Sequence, residues 1–388
     1  MITREAIREL AAFASDAGCA VSFYFQPLTP ANQSHHDELI QARELVRQAL
    51  RESGKPGRDA GARADLERIL ALAEQLHGNH ARAKAVFACA GRGLWREFDL
   101  PPRLARSQLF LGRHFHLKPL LALLDTLPRC GVVVADHKRA RVFELAMDRL
   151  TEATGLVSAI TRRRRSDGFM GYEAGHAQRR VEDDELHHLK QVGERLKHLS
   201  TRGGAELLAV GCREETWHQL EPHLHAYVRQ RLLGRFAADP VSATAGQVRA
   251  QVQRLLAEHG ARRSRELLRE VLGESQRNGR GALGLRNVLR SLERGEVQAV
   301  LVSESFAGRG SECRACGRLD SRLLQHCPLC GQETSELADL GERLLGQLLR
   351  SGIELWRLGA DPELEKAGGI AALLRFRADQ STPRRLAV

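Results

Sequence analysis

Four cysteines in the last quarter of the chain have the spacing that most directly specifies chemistry. Cys313-Arg314-Ala315-Cys316-Gly317 and Cys327-Pro328-Leu329-Cys330-Gly331 are two C-x-x-C-G turns with ten residues between them. The spacing lets both thiolates of a turn face one ion. The Gly after the second Cys permits the bend that points backbone amides at sulfur. Two such turns complete a tetrahedral four-thiolate site, the geometry of structural zinc with no open position. A redox pair would need only one of them. His326 adjoins Cys327 but is surplus to four thiolates. The expected cofactor is one structural zinc held by Cys313, Cys316, Cys327 and Cys330, in a zinc ribbon spanning 311–333.

A second chemical feature lies mid-chain. Arg162, Arg163, Arg164 and Arg165 precede a Gly-studded polar stretch, Ser166 to Arg180. Two readings fit: a solvated loop, or a mobile finger for an RNA cavity, with Arg neutralising phosphates and stacking on bases. His176, His187 and His188 could serve acid–base chemistry or be plain polar surface. No Walker-type phosphate loop occurs. Gly279-Arg280-Gly281-Ala282-Leu283-Gly284 has G-x-G-x-x-G spacing but does not directly follow a strand, so it reads as a helix start.

Composition narrows the class. The 388 residues carry 59 Lys plus Arg against 48 Asp plus Glu, a net charge of +11. That balance suits a polyanionic partner, nucleic acid or an acidic membrane surface, and also an ordinary protein of an Arg-rich proteome. No apolar run approaches the roughly 20 residues of a spanning helix. The N-terminus reads as an amphipathic helix with no signal-peptide core. Cys19, Cys89, Cys130 and Cys212 sit singly in apolar stretches. They read as buried free thiols in a reducing cytoplasm.

The elements that must position these residues alternate helix and strand, an α/β layer pattern. Helices are expected over 3–17, 35–53 and 63–77, with strands at 19–25, 84–90 and 108–114. A hairpin opens at Val132-Val133-Val134-Ala135 and returns through Arg141–Leu145. A charged helix follows over 182–198, then a strand at 206–211 and a helix over 214–233. The last part reads as helices over 248–272, 284–294 and 336–351, with strands at 297–303, 353–358 and 369–377.

In this order the pieces resemble the archaeal and eukaryotic class-one peptide-chain release factors and their relative Pelota, in a bacterial branch. Val21-Ser22-Phe23-Tyr24-Phe25 resembles the early strand of the family's N-terminal domain. Phe115-His116-Leu117-Lys118-Pro119-Leu120-Leu121 resembles the exit from it. The hairpin 132–145 resembles the start of the middle domain, and Gln178-Arg179-Arg180 before the charged helix resembles the release loop. The resemblance implies three α/β domains arranged as a tRNA mimic: 1–126, 127–248 and 249–388, the last with the inserted zinc ribbon. It implies ribosome binding, contact with rRNA and peptidyl-tRNA, a translational GTPase as a possible partner, and no membrane. Gly175 and Gln178 would act at the peptidyl-tRNA ester, and Arg162–Arg165, Arg179 and Arg180 would hold RNA. Where the family carries Gly-Gly-Gln, this chain has Gly175-His176-Ala177-Gln178. A left-handed backbone at Ala177 would cost roughly 1–2 kcal/mol. Where the family's stop-codon reader carries Asn-Ile-Lys-Ser, residues 53–61 keep only basic character. The implied roles are hydrolysis in termination or rescue, or occupancy of idle ribosomes without chemistry, as in hibernation. Cleavage of tRNA by the loop histidines is a lesser alternative.

Overall fold

The computed structural model describes residues 2, 4–15, 18–26, 35–53, 60–75, 83–100, 107–120, 128–146, 149–157 and 172–378, with the side chains of 4, 35–39, 52–53, 60–61, 154–157 and 172–181 left aside. Contacts divide the chain into two compact units, residues 1–122 with 261–388, and residues 123–260.

The first unit holds two principal sheets. In one, β1 (Ala20–Phe25) lies between β2 (Ala83–Cys89) and β4 (Gln108–Gly112), with β3 (Leu94–Leu100) outside β2, all antiparallel. β1 is buried along its whole length because its alternate residues face two packed layers. Val21, Phe23 and Phe25 meet Val46 and Ala49 of helix His35–Ser53 and Leu66 and Ile69 of helix Ala60–Gln75. Tyr24 packs edge-on against Phe87, which in turn meets Phe115.

The other sheet runs β10 (Gly281–Leu283), β16 (Ile370–Leu374), β11 (Val297–Ser303) and β15 (Glu354–Leu358). β11 and β15 are parallel, so a crossover must join them. That crossover contains helix Leu340–Ser351 and, before it, a three-stranded insert of β12 (Gly310–Cys313), β13 (Leu319–Asp320) and β14 (Thr334–Leu337). The expected helix over 336–351 therefore starts later, after a strand. The Gly279–Gly284 stretch ends at a helix start as expected, but it also contains β10. Gly284 then takes φ +79° ahead of helix Leu285–Glu293, a backbone only glycine adopts readily.

The second unit is a five-stranded sheet in the order β7 (Arg149–Val157), β6 (Arg139–Ala146), β5 (Cys130–Ala135), β8 (Leu207–Gly211), β9 (Leu232–Phe236). β5 to β7 form a meander, and β5, β8 and β9 run parallel. The apolar run of β5 is explained by its two covered faces. Val133 and Ala135 pack on Leu189, Val192 and Leu196 of helix Tyr172–Thr201. Cys130, Val132 and Val134 pack with Val248 and Val252 of helix Ala245–Gln276. The expected helix over 214–233 is broken. Helix Glu214–Leu220 ends at a 3-10 turn containing Pro222, a short helix Ala226–Arg231 follows, and the chain enters β9.

Candidate functional site

The four-cysteine cluster is built by two matching turns. Gly317 and Gly331 adopt φ of +71° and +72°. Their amides donate to the carbonyls of Cys313 and Cys327 at 3.0 and 2.9 Å. That closes each C-x-x-C-G turn and aims amides at sulfur. Cys316 N lies 3.5 Å from Cys313 Sγ, and Leu329 N lies 3.4 Å from Cys327 Sγ. The first of these amides does most to draw the Cys313 thiol down to about 6. All four sulfurs lie within 4.8 Å of one another, with separations of 3.4 Å (Cys313–Cys330) and 3.7 Å (Cys316–Cys327, Cys316–Cys330). Tetrahedral thiolates about 2.3 Å from one zinc stand about 3.8 Å apart, so the donor set fits such an ion. His326 is exposed and contributes no ligand to this cluster.

The mid-chain residues are distributed differently. Arg162, Arg163, Arg164 and Arg165 lie outside the described residues. Helix Tyr172–Thr201 begins ten residues before the expected start at 182 and carries the backbone of Gly175, His176, Ala177, Gln178, Arg179 and Arg180. Ala177 therefore sits in right-handed helical backbone, where alanine is the most favoured residue, and the strain of a left-handed position does not arise. Further along, His187 and His188 part company. His187 is exposed. His188 is 1% exposed beneath the β5–β6 turn, where burial lowers its pKa against hydrogen bonds with the backbone of Arg139 and Asp136. The two cannot act as a pair on one ligand, and His188 is a core histidine. The turn above it is an Asp136 cap: Oδ1 accepts from Lys138 N and Arg139 N, each at 2.6 Å.

A polar cluster that the sequence did not disclose lies in the first unit. The Glu342 carboxylate accepts from Leu117 N (2.5 Å) and Lys118 N (3.1 Å), and lies 3.2 Å from His116 Nδ1. Lys118 Nζ reaches Asp339 Oδ2 at 2.9 Å, and Tyr24 Oη donates to the His116 carbonyl at 2.5 Å. Burial pushes the Glu342 carboxyl up to about 7, against the two amides. Burial, then Lys118, pushes His116 down to about 4. This cluster ties the stretch after β4 to helix Leu340–Ser351. No local pattern could have revealed it, because its halves are 225 residues apart.

Comparisons give these features a likeness: the chain is similar to archaeal peptide-chain release factors, and its middle matches a bacterial release-factor family model. Residues 116–273 match the model of Bacterial archaeo-eukaryotic release factor family 10. The chain is 23% identical over 311 residues to Peptide chain release factor subunit 1 of Pyrococcus abyssi, covering 72% of this chain and 74% of that one. With the same factor of Archaeoglobus fulgidus it shares 25% over 288 residues, 68% of this chain and 70% of that one. Among solved structures it is similar to the archaeal translation termination factor aRF1, at 18% identity and a TM-score of 0.25, covering 97% and 99% of the two chains. Among the described residues no helix is long and apolar enough to cross a membrane.

Proposed function

We propose that this protein occupies the ribosomal A site as a three-domain tRNA mimic and promotes peptidyl-tRNA hydrolysis, in termination or in rescue of stalled ribosomes. The observation that carries the proposal is the family match over 116–273, which includes the β5–β6 hairpin and the helix that contains Gly175 and Gln178. The domains would be 1–126, 127–248 and 249–388. Gln178 would position water on the ester, and Gly175 would supply backbone freedom. Arg162, Arg163, Arg164, Arg165, Arg179 and Arg180 would hold rRNA or the tRNA acceptor end. Most of the catalytic power would be the ribosome's, through positioning and electrostatics. Cys313, Cys316, Cys327 and Cys330 would hold a structural zinc that braces the insert. A translational GTPase would deliver the factor, in the cytoplasm.

One observation favours a second reading, occupancy without chemistry. The segment that would reach the ester is helical here and lacks the paired glycines. The deciding experiment uses reconstituted ribosomes holding peptidyl-tRNA with an empty A site, and measures free peptide. Catalysis predicts stimulated release that Gln178→Ala lowers while ribosome binding survives, because only a transition-state contact is removed. Tight binding with background release assigns the protein to occupancy. Absence of binding to idle or stalled ribosomes at low salt refutes both.

A further inference from the structure

A cleft of about 170 Å³ lies between helix Leu285–Glu293 and the cysteine-bearing insert. Arg286, Arg290, Arg318 and Arg322 line it, with Glu293 and Asp320. The two acids are already engaged. Arg318 Nε binds Glu293 at 2.6 Å and Arg322 Nε binds Asp320 at 3.1 Å. Arg318 Nη1 is buried with no hydrogen-bond acceptor and only a 3.6 Å ion-pair approach to Asp320. A buried guanidinium N–H without an acceptor is costly, and the Asp320 charge beside it offsets part of that cost. Arg286 and Arg290 are both exposed, with no ion pair among the described residues. They stand four apart on one helix, so like-charge repulsion weakens that helix unless an anion joins them. Formally the lining carries four cations and two anions.

From this geometry we infer that the cleft binds the phosphodiester backbone of RNA, with Arg286 and Arg290 clasping phosphate oxygens and the Arg318 and Arg322 guanidiniums adding positive charge beside them. Guanidinium forks match phosphate in bidentate fashion. The two acids pair with Arg318 and Arg322 and hold them in place. The apolar lining is slight, so a peptide would find little to bury. The inference deepens the ribosome-binding reading by naming a contact of the last segment, and it is tested separately from it.

The full-length protein is titrated with a fluorescently labelled RNA hairpin at several salt concentrations. Each phosphate contact contributes about 0.7–0.9 to the slope of log affinity against log salt, so Arg286→Gln with Arg290→Gln should reduce the slope by about 1.5. A charge-matched pair elsewhere, Arg249→Gln with Arg265→Gln, should change it less. Equal changes for both pairs, or none for the first, overturn the cleft. So does a loss confined to binding of polyglutamate, which would assign the cleft to an acidic protein segment. Ribosome pelleting of the unmutated protein separates the two claims. Pelleting without a cleft effect removes this inference alone. A cleft effect without pelleting removes the ribosomal reading and leaves the cleft.

Discussion

The burial of Glu342 and of His116 predicts a pH dependence that only appears when one of the two is removed. Glu342 ionises near 7 in the folded protein against an ordinary 4.5, and His116 near 4 against an ordinary 6.5. Between pH 4.5 and 7 folded Glu342 keeps a proton that the unfolded chain has released, so its contribution to stability falls as pH rises. Between pH 4 and 6.5 unfolded His116 carries a proton that the folded ring lacks, so its contribution falls as pH drops. Over the shared window each state holds one proton on the pair, and the two slopes cancel. Each alone is worth about 1.4 kcal/mol per pH unit. Across about pH 5 to 6.5 that amounts to roughly 2 kcal/mol. Neither shift has the other residue among its main causes, so each survives its partner's removal. His116→Gln should make the first unit lose about 2 kcal/mol as pH rises through that range. Glu342→Gln should make it gain about as much. Urea unfolding in a Trp217→Phe background follows only Trp95 and Trp356, both in this unit. Two variants with the same slope, or a parent with a steep one, would refute the compensation.

Metal analysis of freshly purified, reduced protein should find about one zinc per chain, and Cys327→Ser should both abolish it and destabilise the last segment, since binding is linked to folding. In native protein near neutral pH, Cys89, Cys130 and Cys212 should resist alkylation, because burial pushes their thiols up to about 11, 12 and 11; peptide mapping after a timed iodoacetamide pulse checks this. Gly175→Ala should stabilise the start of helix Tyr172–Thr201 by about 1 kcal/mol, read as slower amide hydrogen exchange over 172–181. If release requires that turn to open, the same variant should lower peptide release without loss of ribosome binding.

Local signals make part of this fold legible. The strands β1, β5 and β11 are short apolar runs covered on both faces, and their composition alone marks them. The C-x-x-C-G turns are legible for a related reason: ligand spacing, glycine and metal geometry all lie within five residues. Edge strands are harder to read. β3, Leu-Trp-Arg-Glu-Phe-Asp-Leu, exposes its charged residues and has no apolar run to announce it. β9 merges in the sequence with the helix before it, because apolar spacing continues across Pro222. The Glu342 cluster and the arginine cleft depend on residues that folding alone brings together.

The same distinction bears on what Gly175 and Gln178 do. A Gly inside a helix costs about 1 kcal/mol relative to Ala, so helical backbone at 175 is the weaker part of a helix anchored by Leu189, Val192 and Leu196 further along. The sequence resembles a loop there because glycine is permissive, and the structure is helical because the segment abuts a well-packed helix. Unwinding that first turn would therefore cost less than unwinding the packed part of the helix. Ala177 shifts the balance toward helix, whereas a second glycine would shift it toward loop. If the proposed release role requires this turn to open, the departure from Gly-Gly-Gln would act first on that opening. Exchange rates over 172–181, with and without ribosomes, would measure that opening directly: faster exchange on binding supports a catalytic finger, and slower exchange supports a helix that docks intact.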